Sequence, residues 1–175
     1  SMKSHMEEPG GDSTEQAVAN ARARQARAVA ELRNVLQARR MREFASLEED
    51  ANRLRITLTP SVFFETGSDV LSGEAAEKLR ELARSLKRFR GDIIIEGHTD
   101  NVPVRGGRYA SNWELSVGRA VRVIDLFIAE GIPPRQLVCG GYGEFHPAFP
   151  NDTPENRARN RRIEITVMKE VVDEP

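Results

Sequence analysis

Cysteine is nearly absent: Cys139 is the only one in 175 residues. That excludes an internal disulfide framework and leaves the redox compartment open. Long apolar runs are missing as well. None approaches the roughly 18 residues needed to cross a bilayer, and no signal peptide is visible. Neither sign of charge prevails, with 26 Lys and Arg against 27 Asp and Glu and a formal net charge of −1. The whole chain therefore offers no electrostatic case for nucleic acid. Histidine is scarce too. The opening SMKSHM, residues 1–6, reads as an expression scar, so His5 is set aside and only His98 and His146 remain. If so, the natural N-terminus has been removed, and a missing anchor says little about the native protein. His98 and Asp100 invite a metal or acid–base reading, but no HExxH, CxxC or paired-carboxylate pattern supports one, so no metal and no cofactor is expected. Cys139 sits in an apolar run before glycines with no evident base, which suits a small core residue better than a nucleophile.

What is present suits one globular domain with a polar extension: 39% of residues are hydrophobic and 30% charged. The composition divides the chain into a polar segment with an Arg- and Ala-rich linker helix over 7–50, a folded domain over 51–170, and a tail over 171–175. From Thr14 to about Ala45 there is no Gly or Pro, and good helix formers dominate. Val18, Ala21, Gln25, Ala28, Leu32 and Val35 make a thin seam that fits either a short coiled coil or a helix laid on the domain. The seven arginines from Arg22 to Arg42 read as a solvated face.

Beyond the linker, Leu54 to Thr59 alternates as a half-buried strand. Pro60 interrupts it, and Val62-Phe63-Phe64 is a place where pairing could resume. Ser72 caps a helix from about Gly73 to Phe89, whose Leu79, Leu82, Leu86 and Phe89 share a face. Asp92 to Glu96 reads as an interior strand. Ser111 and Glu114 form a capping box for a second helix, with Val117, Val121, Ile124 and Ile128 as its expected core stripe. Leu137-Val138-Cys139 and Ile163 to Val167 supply two more strands. The order β-α-β-α-β-(short helix)-β predicts an α+β sandwich, two main helices on a mixed sheet, preceded by the linker helix.

The chemistry gathers between Gly97 and Ala120, GHTDNVPVRGGRYASNWELSVGRA. A strand end and a helix start there bring Thr99 and Asp100 towards Asn112 and Arg119. On the expected stripe the last two lie off the core face, so packing does not explain them. Asp100 can receive an ammonium, and the fork of Arg119 suits a carboxylate. Alternatively, the two pair with each other and merely tie the loop to the helix. RARNRR, residues 157–162, could suggest nucleic acid. It stands beside Glu155 and Glu164 with little stacking surface, so no nucleic-acid partner is expected.

GHTDNVPV, SNWELSVGRA and GYGEFHPAFPNDTPENRARNRRIEI together resemble the OmpA-like peptidoglycan-binding domain. The similarity spans about Leu54 to Met168. The lengthened loop and the NWELS wording resemble in particular the MotB type of flagellar stator subunit. The resemblance implies a non-enzymatic domain that holds the diaminopimelate of the wall peptide. Asp100 would take its ammonium and Arg119 its carboxylate, with Asn112 and Thr99 orienting ligand or loop. Arg161, in the NRR motif, would be either a ligand contact or a brace. Gly67 stands where the family often has Asn, which leaves only backbone at that contact. The resemblance further implies a periplasmic domain of a protein held in the inner membrane by an N-terminal helix outside this sequence, with a membrane-embedded channel partner. A homodimer is expected from the family and the seam together. A general envelope anchor of the same fold, such as an outer-membrane protein tail or a secretion-system component, would share the site without the motor.

Overall fold

The computed structural model describes residues 11–59, 64–65 and 67–171. Pro60, Val62 and Phe63, the scar and all of the tail except Val171 lie outside the described residues. Five strands, β1 (Ala45–Glu49), β2 (Arg53–Leu58), β3 (Ile93–Gly97), β4 (Leu137–Gly141) and β5 (Ile163–Met168), form one sheet in the order β1-β2-β5-β3-β4. The β3–β4 pair is parallel and the rest are antiparallel. A parallel pair needs a long crossover, and α4 (Asn112–Ala129) supplies it. This is the expected mixed sheet with helices, enlarged by β1. That strand reads ASLEE and only Ala45 is buried in it, so its alternation is too weak to announce a strand in sequence.

Along the inner strands the period-two pattern does what it predicts. Leu54, Ile56 and Leu58 of β2, Ile93 and Ile95 of β3, and Ile163, Ile165 and Val167 of β5 are essentially inaccessible and point into one core. Three helices cover it. In α1 (Gly11–Gln37) Ala28 and Leu32 of the seam are buried and Val18, Ala21, Gln25 and Val35 are half-buried, while Val29 and Leu36, which lie outside the expected seam, also enter the core beside α3 (Gly73–Leu86) and β1. Of the two readings of the seam within this chain, it is a helix laid on the domain. With Leu32 fully buried, a contribution of about 1.5–3 kcal/mol from that side chain alone holds the helix down. After a short turn, α2 (Arg39–Arg42), Met41 and Phe44 close the same core. The Ser72 cap forms as read, its hydroxyl accepting from Ala75 N at 3.1 Å, although α3 ends at Leu86, before Phe89.

The face of α4 differs from the reading of its sequence. Val117 and Ile128 are exposed, whereas Asn112, Leu115, Ser116, Arg119, Ala120, Val123 and Phe127 are buried. The helix thus turns a mixed polar and apolar stripe inwards, and Asn112 and Arg119 lie on its buried face. The cause is close packing at the strand ends. A Cβ on Gly97 would stand 2.0 Å from the Ser116 carbonyl oxygen, so glycine there lets α4 press against the exit of β3. Cys139 is also not a core residue: β4 is an edge strand, and its thiol is exposed.

Candidate functional site

The site begins where β3 ends. Beyond Gly97 the chain keeps pairing in an irregular way: His98 N donates to Arg162 O at 2.9 Å, Thr99 N to Gly143 O at 2.9 Å, and Tyr142 N to Gly97 O at 3.0 Å. Gly143 N in turn donates to the hydroxyl of fully buried Ser116 on α4 at 2.9 Å. Four separate segments are thereby locked together around the start of α4. The helix starts as its capping box predicts, with Ser111 Oγ accepting from Glu114 N at 3.2 Å. Glu114 reaches back to Ala110 N at 2.9 Å.

In this corner lies a cavity of about 340 Å³ lined by Gly67, Thr99, Asp100, Asn112, Arg119 and Arg161. All six residues singled out in the sequence therefore meet around one space. Val102, Pro103, Val104, Arg105 and Leu115 complete the wall. Helix spacing puts Leu115 beside Asn112 and Arg119, but nothing in the sequence singles out the other four. The VPVR stretch reads as loop, and only the fold shows that it stands over the cavity.

The polar groups are heavily tied. Asp100, 7% exposed, accepts from Val102 N at 3.0 Å through Oδ1 and from Arg161 Nη1 at 2.6 Å through Oδ2. Asn112 donates from Nδ2 to Val102 O at 3.0 Å and to Asp100 O at 3.4 Å. Thr99 Oγ1 donates to Asp100 O at 2.9 Å. Arg119, 3% exposed, donates from Nε to Ser68 O at 2.9 Å and from Nη2 to Glu65 O at 3.1 Å, with its guanidinium over the Phe64 ring. Asp100 and Arg119 therefore do not pair with each other. Each is held by a third segment, Asp100 by the residue after α5 (Pro154–Asn160) and Arg119 by the loop before α3. Burial, and then the nearby charge of Arg161, push the Arg119 guanidinium down to about 10. It is a buried cation that donates to neutral carbonyls and has no carboxylate partner among the described residues. Gly67, at φ +71°, makes the turn that presents those carbonyls.

Behind the cavity, His98 is 3% exposed and stacks on Tyr142 with ring centroids 5.0 Å apart. His98, with Nε2 at 3.7 Å, and Arg162, donating from Nε at 2.8 Å, draw the Glu164 carboxyl down to about 2. Only the arginine is within hydrogen-bond distance. No group of three or more His, Cys, Asp or Glu suited to a metal occurs among the described residues. No described helix is long and apolar enough to cross a membrane.

Residues 63–161 match the OmpA family. The chain belongs to the OmpA family. Its OmpA domain is 37% identical over 117 residues to motility protein B of Bacillus subtilis, an alignment that takes in 66% of this chain and 45% of that protein. Among solved structures it superposes on a MotB-like protein from Desulfovibrio vulgaris at TM-score 0.76 and 31% identity, covering 89% of this chain and 97% of that one. The cell wall anchor of the T6SS from Pseudomonas aeruginosa superposes at TM-score 0.74 and 32% identity, covering 79% and 97%. The chain spans about half the length of the curated relatives it matches. As an OmpA-like peptidoglycan-binding domain the chain is a binding protein and not an enzyme.

Proposed function

We propose that this domain ties a flagellar stator subunit to the cell wall by gripping the diaminopimelate of the peptide stem. The observation that carries the reading is the cavity itself, in which the Asp100 carboxylate and the buried Arg119 guanidinium share one wall-to-wall space. A ligand end bearing an ammonium and a carboxylate is complementary to that pair. The ammonium approaches Asp100, whose oxygens retain acceptor capacity beyond Val102 N and Arg161. The ligand carboxylate meets Arg119 at Nη1, which has no partner among the described residues. Asn112 and Thr99 act indirectly, by fixing the Asp100 and Val102 carbonyls. Arg161 serves as a brace for Asp100. Two charge-assisted contacts of about 1.5–3 kcal/mol each suit a modest tether, multiplied by repetition along the wall.

The motor assignment draws support from the similarity to motility protein B. It brings with it a periplasmic location, an inner-membrane helix upstream, a channel partner and a homodimer. On this reading residues 51–170 are the wall-binding unit, and 7–50 lead to it from the membrane. A second reading, an envelope anchor without a motor, draws comparable support from the similarity to the T6SS anchor. The residues that precede this chain in the full-length protein distinguish the two: one membrane helix bearing an acidic residue favours the stator. A titration followed by nuclear magnetic resonance tests the ligand. The account expects the stem tripeptide L-Ala-γ-D-Glu-meso-diaminopimelate to shift the amides of residues 99–102, 104 and 105, and the same peptide with lysine in place of diaminopimelate, whose side chain ends in an ammonium and no carboxylate, to leave them in place. Equal responses to the two would contradict it.

A further inference from the structure

The cavity carries more positive charge than one carboxylate can answer. Its lining holds a single acid, Asp100, against three arginines, Arg105, Arg119 and Arg161. Asp100 and Arg161 cancel at 2.6 Å. Two guanidiniums are left, and neither has an acidic partner among the described residues. Other arginines nearby are satisfied differently: Arg108 and Arg122 both sit on the Asp69 carboxylate, at 3.5 and 3.0 Å. Arg105 is thus the odd one on its own loop.

The loop backbone places it deliberately. Gly106 and Gly107 follow Arg105 at φ +69° and +86°, a pair of left-handed residues that side chains other than glycine adopt at a cost. No atom stands within 4 Å of a Cβ built on either, so the glycines serve the turn and not a tight contact. The chain bends at these glycines, and the Asn112 side chain pins the loop by its Val102 carbonyl. Residues 102–105 consequently stand as one wall of the cavity, ending in an exposed cation.

We infer that the cavity accepts a ligand with one cationic and two anionic groups, and that Arg105 receives the second carboxylate at the cavity mouth. The inference rests on the wall-peptide reading given above and specifies it further. In a peptide stem whose other diaminopimelate carboxylate is joined to a following residue, the glutamyl residue bound to diaminopimelate through its γ-carbonyl carries a free α-carboxylate, an anion one residue from the gripped end. Arg105 makes the domain sensitive to whether that carboxylate is free or amidated.

The test is calorimetric titration of the whole chain with two synthetic L-Ala-γ-D-Glu-meso-diaminopimelate peptides, each with the carboxylate on the peptide-bonded carbon of diaminopimelate capped as an amide, one with the glutamyl α-carboxylate free and the other with it amidated. Amidation is expected to weaken binding about tenfold, the scale of one charge-assisted hydrogen bond. Arg105→Gln is expected to weaken the free-acid peptide by the same factor and to leave the amidated one unchanged, while circular dichroism shows an unaltered fold. If both peptides bind the parent equally and Arg105→Gln changes neither, the inference is overturned and the wall-peptide reading stands. If neither peptide binds the parent, the wall-peptide reading fails and takes the inference with it.

Discussion

Arg161 Nη1 lies 2.6 Å from Asp100 Oδ2 and joins the residue that closes α5 to the loop that leaves β3. The carboxylate offered to a ligand is therefore already half satisfied and fixed in direction. Its side chain is 10% exposed and that of Arg161 is 29% exposed, so the pair is screened less than a surface bridge.

That pair predicts coupling. Asp100→Asn and Arg161→Gln should each destabilise the fold by about 1–3 kcal/mol, because each leaves a partly buried charge unanswered. The double variant should lose clearly less than the two losses together. Urea unfolding of the four proteins measures this. Additive losses would mean that the contact contributes nothing.

Gly67 predicts a pattern of tolerance. It adopts φ +71° with no atom within 4 Å of a Cβ built there, so backbone conformation decides what fits. Asn, which visits this region readily, should cost little, whereas Val should cost about 1–2 kcal/mol. Thermal unfolding of Gly67→Asn and Gly67→Val checks it, and equal midpoints would contradict the account.

Glu164 predicts a pH dependence. Its folded value is lowered from 4.5 to about 2, by His98 first and by Arg162. A depressed carboxyl value means that the stabilisation is complete above about 4.5 and is lost as the pH falls towards 2. After discounting for partial exposure the loss is about 1 kcal/mol. Glu164→Gln should therefore be less stable than the parent at pH 7 and approach it near pH 2. A constant gap across that range would refute the linkage.

Much of this architecture is legible in the residues. The strands around Ile56, Ile95 and Ile165 show themselves by alternation, and the helices by Ser72 and Ser111. The α4 face departs from the expected stripe for a physical reason. Hydrophobic periodicity assumes that the buried stripe is apolar, yet here a polar cavity is built into it, so Asn112, Ser116 and Arg119 are inside while Val117 and Ile128 are exposed. Strand β1 escaped notice because, as an outer strand, it buries only Ala45. The partners of Asp100 and Arg119 were equally hidden. They come from positions 61 and more than 50 residues away along the chain, and no local pattern encodes such contacts.

The central claim is that the cavity holds the cell wall. Co-sedimentation with purified diaminopimelate-type peptidoglycan tests it most directly, with Asp100→Ala and Arg119→Ala beside the parent and circular dichroism to verify folding. The account predicts that the parent pellets with the wall and that both folded variants stay in the supernatant. A parent that stays in the supernatant, or folded variants that pellet as the parent does, would contradict it.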